Sequence, residues 1–370
     1  MKFNGIITIF TIFALFTMTI PITIHGDSGL GTEATSEISI TDSRGTTTNL
    51  TQPSTHVAAF SAYITNTLVD IGNLSNAVIF DYYSAYAQSG ITDVQNYSAD
   101  LFITVNTANS NMVVQRMLGM VDNGTWNKTN DVILGSGYSY LSDVWTDLED
   151  EGFKVITFYP KTYDDIVQVV EDIETVLGAN HSVSNQMEYV KTFINEVLTE
   201  NGIINSTDKV TAVYVSWSGS NFKLGNTGAV TTDFINITGG LNVAEDSSKA
   251  TPSYTADATA ILQLNPDFVL LDGNYPNTAE YFSSDVLINS DATVCKLNKS
   301  MNSYCPDAMT GLWTIACLFY PEYFNGTIPI EATDDEGDSN DMAIYAAIGI
   351  CIVIAAVALV LITKRKGSKD

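Results

Sequence analysis

A chain of 370 residues with 42 acidic and 16 basic side chains, net charge −26, has no basic stripe to neutralise phosphates, which excludes nucleic acid as a partner. At 45% apolar and 10% aromatic it is not a disordered polyanion. Its length leaves room for two ordinary domains with sizeable cores.

The first 26 residues carry one lysine and then an apolar run from Gly5 to Ile20. This is the pattern of a secretory signal cleaved near Gly26, with an uncleaved N-terminal anchor as the rival reading because Ile24 is bulky for a cleavage site. No cysteine follows the run, so a bacterial-type lipid anchor is excluded. Residues 27–37 read as a linker.

From residue 38 to 161 short apolar strands alternate with helical patterns. "STHVAAFSAYITNTLVDIG" predicts a strand around Val57–Ser61 and then a helix; "NAVIFDYYSAY" a second strand ending in aromatics; "NDVILGSGYSY" a third; "SDVWTDLEDEGFKVITFYP" a helix and a fourth strand. Such alternation predicts an α/β fold with a mainly parallel sheet covered by helices. Residues 162–178 differ. Ile166, Val169, Val170, Ile173 and Leu177 share one helical face, Thr162 with Asp165 forms an N-terminal cap signature, and Gly178 ends the run. This predicts one uninterrupted helix of about four turns.

Between residues 179 and 328 the alternation restarts. "DKVTAVYVSWSGSNF" predicts a strand and loop, "VTTDFINITGG" a helix, "ATAILQLNPDFVLLDGNY" a helix and strand, "ATVCKLN" a strand, and "TGLWTIACLFYPEYF" a closing helix. "DVILGSGY" from Asp131 and "DFVLLDGNY" from Asp267 share one plan: an aspartate, apolar residues, a glycine turn and a tyrosine. They are predicted to be equivalent strands of two α/β lobes joined by the single helix. Ligands gather at the carboxyl ends of such strands.

Residues 329–341 form an acidic tether, and Met342 to Ile362 is 21 residues without a charge, enough to span ~30 Å of hydrocarbon. A transmembrane helix is predicted over 342–363, with a basic cytoplasmic tail at 364–370 holding Lys364, Arg365, Lys366 and Lys369. Basic flanks stay inside, so the lobes are predicted to be extracellular on a single-pass anchor in the cell membrane. Removing Lys2 and the four tail cations leaves 11 basic residues against 41 acidic ones outside. Cys295 and Cys305, ten apart in a loop-like segment, form a candidate disulfide in an oxidising compartment, with two free thiols as the alternative. Ten N-x-[ST] sequons are candidate glycosylation sites: Asn49, Asn73, Asn96, Asn123, Asn127, Asn180, Asn205, Asn236, Asn298 and Asn325.

Five pieces in order carry a family resemblance: "DSRGTTTNLTQPSTHVAAF", "SGYSYLSDVWTDLEDEGFKVITFYPKTYDDI", "ITGGLNVAED", "LQLNPDFVLLDG" and "GLWTIACLFYPEYF". From about Ile38 to Phe324 the chain resembles the substrate-binding proteins of ABC importers for iron-siderophores, haem and cobalamin, in a membrane-anchored, archaeal-type form. The resemblance implies two lobes bridged by a rigid helix, a metal chelate held between them, and delivery to an ABC permease and its ATPase. The family carries a docking acid early in the helix before the N-P-D strand. Here that position holds Thr259, with Asp257 two residues earlier. The insertion "DNGTWNKTN" also falls where the family is compact.

Strand-end positions supply the candidate ligand-binding residues: Ser61, Tyr63, Tyr82, Tyr83, Tyr86, Tyr138 and Tyr140 from the first lobe, and Ser216, Trp217, Ser218, Asn221, Phe222 and Tyr275 from the second. Aromatic faces stack on flat or macrocyclic ligands, and hydroxyls add oriented hydrogen bonds. A bare zinc or manganese site wants several histidines, yet outside the signal only His56 and His181 occur, and both read as structural or surface residues. Lys223 is the one strand-end cation read here, which favours a neutral or weakly charged chelate such as a corrinoid or hydroxamate complex over a strongly anionic one. No catalytic constellation or resident cofactor is predicted: a G-x-S-x-G elbow, a P-loop and a His–carboxylate cluster are all missing. Two other readings stay open, a surface glycoprotein without a transport role and a chelatase-like enzyme on the same scaffold.

Overall fold

The computed structural model describes residues 37–85, 91–218, 221–273, 275 and 291–330. The predicted signal, most of the linker, the acidic stretch from residue 331, the predicted membrane segment, the basic tail and Tyr86 lie outside the described residues. Among the described residues no helix is long and apolar enough to cross a membrane.

A polar hairpin, β1 (Ile38–Thr41) and β2 (Thr47–Leu50), opens the described chain. Its turn is built by Asp42, whose carboxylate accepts the Arg44 and Thr46 backbone N–H groups at 2.9 and 3.0 Å. Five strands then form one wholly parallel sheet: β3 (Val57–Phe60), β4 (Ala77–Asp81), β5 (Phe102–Ile103), β6 (Val132–Ser136) and β7 (Lys154–Phe158), in the order β5-β4-β3-β6-β7. Both faces of such a sheet are covered, so successive residues bury in opposite directions. Val57 and Ala59 enter one core with Ile64 and Leu68 of α1 (Ala62–Asp70). Ala58 and Phe60 enter the other, with Met117 of α2 (Ser110–Asp122) and Trp145 of α3 (Ser142–Asp150).

The predicted helix forms as α4 (Tyr163–Leu177). The Thr162 hydroxyl accepts the Asp165 N–H at 3.1 Å, the Asp165 carboxylate accepts the Thr162 N–H at 3.1 Å, and Gly178 turns left-handed at φ 64°. Its buried stripe divides along its length. Tyr163, Ile166 and Val170 pack into the core of the C-terminal half, while Ile173, Val176 and Leu177 pack into that of the N-terminal half. One helix therefore belongs to both cores.

α5 (Ser182–Glu200) follows at once, an element the sequence reading passed over although Met187, Val190, Ile194 and Leu198 bury at helical spacing. The second sheet holds β8 (Thr211–Ser218), β9 (Asn221–Gly225), β10 (Leu241–Asn242), β11 (Ser253–Ala256), β12 (Phe268–Leu271) and β13 (Thr293–Lys296). β8, β12 and β13 are parallel neighbours, β10 pairs with the first residues of β8, and β9 and β11 extend the sheet antiparallel. Around it lie α6 (Val230–Ile237), α7 (Ala258–Leu264) and α8 (Asp307–Phe319).

The two matching stretches are equivalent strands. β6 lies between β3 and β7, and β12 lies between β8 and β13. Each leading aspartate clamps the start of the neighbouring strand. Asp131 accepts the His56 N–H just before β3 at 3.2 Å, and Asp267 accepts the Thr211 N–H opening β8 at 2.8 Å. Each glycine permits a close approach. A Cβ on Gly137 would stand 2.1 Å from the Ser43 hydroxyl oxygen, and one on Gly273 would stand 2.3 Å from the Lys299 Cα.

The candidate disulfide is corrected. Cys295 and Cys305 are free thiols, as is Cys317. Cys295 is held within β13 opposite Leu270. Cys305 is fully buried beside α1, its sulfur accepting the Asn66 side-chain N–H at 3.2 Å. Burial pushes both thiols up, that of Cys295 to about 11.

Candidate functional site

The carboxyl ends of β4, β6 and β7 bring tyrosines together on the N-terminal half. Tyr82 and Tyr83 follow β4 on a single tight turn and are 45% and 59% exposed; Tyr140, just past β6, is 64% exposed. Singly exposed tyrosines are ordinary, so it is their clustering at strand ends that is the informative observation. Tyr138 stacks on Tyr140 with ring centroids 5.5 Å apart and planes 12° apart, and Tyr159 meets Tyr138 edge-on at 5.3 Å. The loop carrying Tyr140 is tied down by the Thr107 hydroxyl, which donates to the Tyr140 carbonyl.

Asp81 ends β4 beneath this platform. It is buried, and desolvation lifts its carboxyl to about 6 against the opposing pull of the Val105, Tyr83 and Tyr82 backbone N–H groups. The N–H bonds favour the charged form and burial the neutral one, and burial wins. Burial also raises the Tyr138 and Tyr140 hydroxyls, Tyr140 further through Asp81 and Tyr83 nearby.

Tyr63 lies deeper than predicted. It is buried, donates its hydroxyl to the Phe158 carbonyl at 3.0 Å and meets Tyr304 of the C-terminal half edge-on at 5.6 Å. Tyr63 thus floors the platform. Ser61 is the extended residue before α1, with no side-chain capping bond. Asn66 of α1 extends the seam by donating to Asp307 at 3.3 Å.

The second group of candidates is arranged differently. Trp217 meets Phe222 at 5.2 Å and Tyr275 at 5.8 Å, and Phe222 lies 5.9 Å from Tyr275, which is 1% exposed. The three rings form a self-packed wall; among the described candidate residues the open rings, Tyr82, Tyr83 and Tyr140, belong to the N-terminal half. Ser216 faces Lys223 across the β8–β9 ladder, and Ser218 pairs with Asn221 at its closed end. Beside them Tyr214, Asp272 and Asn302 form a network, with Asn302 donating to both partners at 2.8 Å.

Sequence reasoning missed Tyr159, Tyr304 and Lys161. Tyr159 follows β7 directly, so the strand-end rule that found Tyr138 also applies to it. Tyr304 sits in an irregular segment with no periodic signal. Lys161 corrects the view that Lys223 is the one strand-end cation, since its ammonium stands 5.6 Å from the Tyr159 ring centre. His56 and His181 are half-exposed neighbours of Asp131 and Glu174, away from the tyrosines. Asp257, near the expected docking position, caps α7 by accepting the Ala260 N–H at 3.0 Å. Among the described residues no group of three His, Cys, Asp or Glu side chains converges as a metal-ion site.

No protein-family profile and no curated protein sequence matches the chain. Solved structures do. The chain is similar to Helicobacter pylori CeuE in its nickel–histidine complex, with TM-score 0.59 and 15% identity over 78% of this chain and 90% of that one. It is similar to a periplasmic solute-binding protein from Veillonella parvula, with TM-score 0.58 and 16% identity over 78% and 88%. It is also similar to the periplasmic haem-binding protein RhuT from Roseiflexus sp., with TM-score 0.53 and 12% identity over 72% and 98%. The fold is that of the periplasmic solute- and haem-binding proteins.

Proposed function

We propose that the chain is the extracellular substrate-binding component of an ABC importer. It captures a metal chelate (iron-siderophore, haem or a cobalamin-like corrinoid) between its two halves and hands it to a permease driven by its ATPase. One observation carries this reading: four tyrosines, Tyr82, Tyr83, Tyr140 and Tyr159, are each at least 40% exposed at the carboxyl ends of parallel strands. That is where open α/β sheets hold ligands. The fold supports it, because its structural neighbours include a nickel–histidine complex and haem-binding proteins.

Tyr138 and Tyr140 would present a ring face to a flat chelate, the exposed hydroxyls would bond its rim, and Lys161 would face a carboxylate or phenolate edge. The Trp217–Phe222–Tyr275 wall would close the opposite side. An anchor over residues 342–363 would hold the protein at a high effective concentration near the permease. Titrating the purified extracellular portion with ferric trihydroxamate, haem and cobalamin tests the reading, and saturable binding of one of them at one site per chain is the expected result.

A further inference from the structure

The insertion at residues 122–130 takes no part in the strand-end site, and it contains two sequons four residues apart. In both, the asparagine side-chain oxygen accepts the backbone N–H of the threonine two positions on: Asn123 from Thr125 and Asn127 from Thr129, each at 2.9 Å. These are Asx turns, which engage the amide oxygen with the loop's own backbone and leave the Nδ2 amide out of that bond. Asn123, Thr125, Asn127 and Thr129 are all exposed.

The loop is held firmly. Trp126, between the two sequons, is 3% exposed, meets Phe153 at 6.4 Å and donates its backbone N–H to the Met120 carbonyl. Asn127 donates its own N–H to Asp131 at 2.7 Å, and the Lys128 ammonium stands 4.4 Å from the Phe153 ring centre. The fold thus plants a tryptophan in the core and presents an asparagine on either side of it. The loop feeds the amino end of β6, and Tyr138 and Tyr140 leave its carboxyl end five residues of strand away, about 16 Å. Three other sequons are placed differently: Asn49 lies within β2, Asn236 within α6, and Asn73 is half-buried.

We propose that Asn123 and Asn127 are a paired N-glycan acceptor site at the pole opposite the strand-end tyrosines, modified from a polyprenyl-phosphate-linked oligosaccharide. The Nδ2 nitrogen attacks the anomeric carbon of the donor sugar, the carbon–oxygen bond to phosphate breaks, and the phosphate departs with that electron pair. The new N–glycosidic bond forms as the amide loses one proton to the transferase. The site draws on the extracellular placement read from the sequence and is independent of the ligand. Paired glycans here would shield one pole and leave the binding face bare.

The test uses the full chain isolated from its native membranes. Trypsin cleaves after Arg116, and mass spectrometry of the peptide beginning at Met117 is expected to show a glycan on both asparagines. T125A and T129A keep each Asx turn, which uses a backbone N–H, and each is expected to lose one glycan; T125S is expected to retain it. Chelate affinity and melting temperature should stay within error of wild type in all three, confirming that loss of mass reflects lost modification and not misfolding. An unmodified peptide, or glycans persisting in T125A and T129A, overturns the proposal.

Discussion

Replacing Tyr140 by alanine separates ligand stacking from folding. A tyrosine side chain has about 150–250 Å² to bury. With 64% of Tyr140 open, roughly 100–160 Å² is available to a ligand, worth roughly 2.5–4 kcal/mol if wholly covered at about 25 cal/mol/Å². A planar chelate covers one ring face, so about half of this, roughly 1–2 kcal/mol, is expected in binding. That corresponds to about a five- to thirty-fold rise in Kd. The fold should lose only the Tyr138 stack, about 0.5–1.5 kcal/mol. Calorimetric titration of wild type, Y140A and Y140F with whichever chelate binds, beside thermal melts, gives both numbers. Y140F should bind within a few-fold of wild type, since the ring and its stacking face remain. Unchanged affinity in Y140A would show that the exposed platform is not where the ligand lies.

Three further outcomes follow from particular residues. Asp70 is pushed up to about 8 by burial, then by Asp307 and Asp93. Its stabilising share is present below the unfolded value of about 4 and lost as pH rises through about 8, so Asp70→Asn should raise the melting temperature at pH 8.5 and not at pH 4; equal shifts at both would refute this. Gly273→Ala forces backbone against backbone at Lys299, while Gly137→Ala meets a movable serine hydroxyl, so urea denaturation should show the larger loss for Gly273→Ala, about 1–3 kcal/mol. The extracellular portion, denatured without reductant, should titrate three thiols, Cys295, Cys305 and Cys317; one thiol would mean a bridge forms after all.

Much of the frame was legible because strong local signals agreed with tertiary packing. The capping box, apolar stripe and Gly178 of α4 all point to one helix, and it forms as read. The duplicated aspartate–strand–glycine pattern was also legible, and the structure adds its cause in the clamps at His56 and Thr211. Other parts were hidden by competing physics. β1 and β2 are polar strands whose order depends on the turn at Asp42, so hydrophobic periodicity does not mark them. β9 begins in what reads as the loop after β8, and β11 falls in a stretch given no element; both pair antiparallel at one side of a sheet otherwise announced by parallel alternation. In the site, strand-end position found Tyr82, Tyr83, Tyr138 and Tyr140 but could not tell open rings from packed ones. Tyr63 and Tyr275 share that sequence position, and burial alone distinguishes them.

The most direct measurement on the central claim is to isolate residues 27–341 from the native host under non-denaturing conditions and weigh the intact complex by native mass spectrometry, with an absorption spectrum of the same sample. The account predicts a mass excess beyond any glycan that matches one metal chelate per chain, with its chromophore, and loss of both after denaturation. A chain with no bound chelate that also fails to bind ferric trihydroxamate, haem and cobalamin in subsequent titration would contradict it.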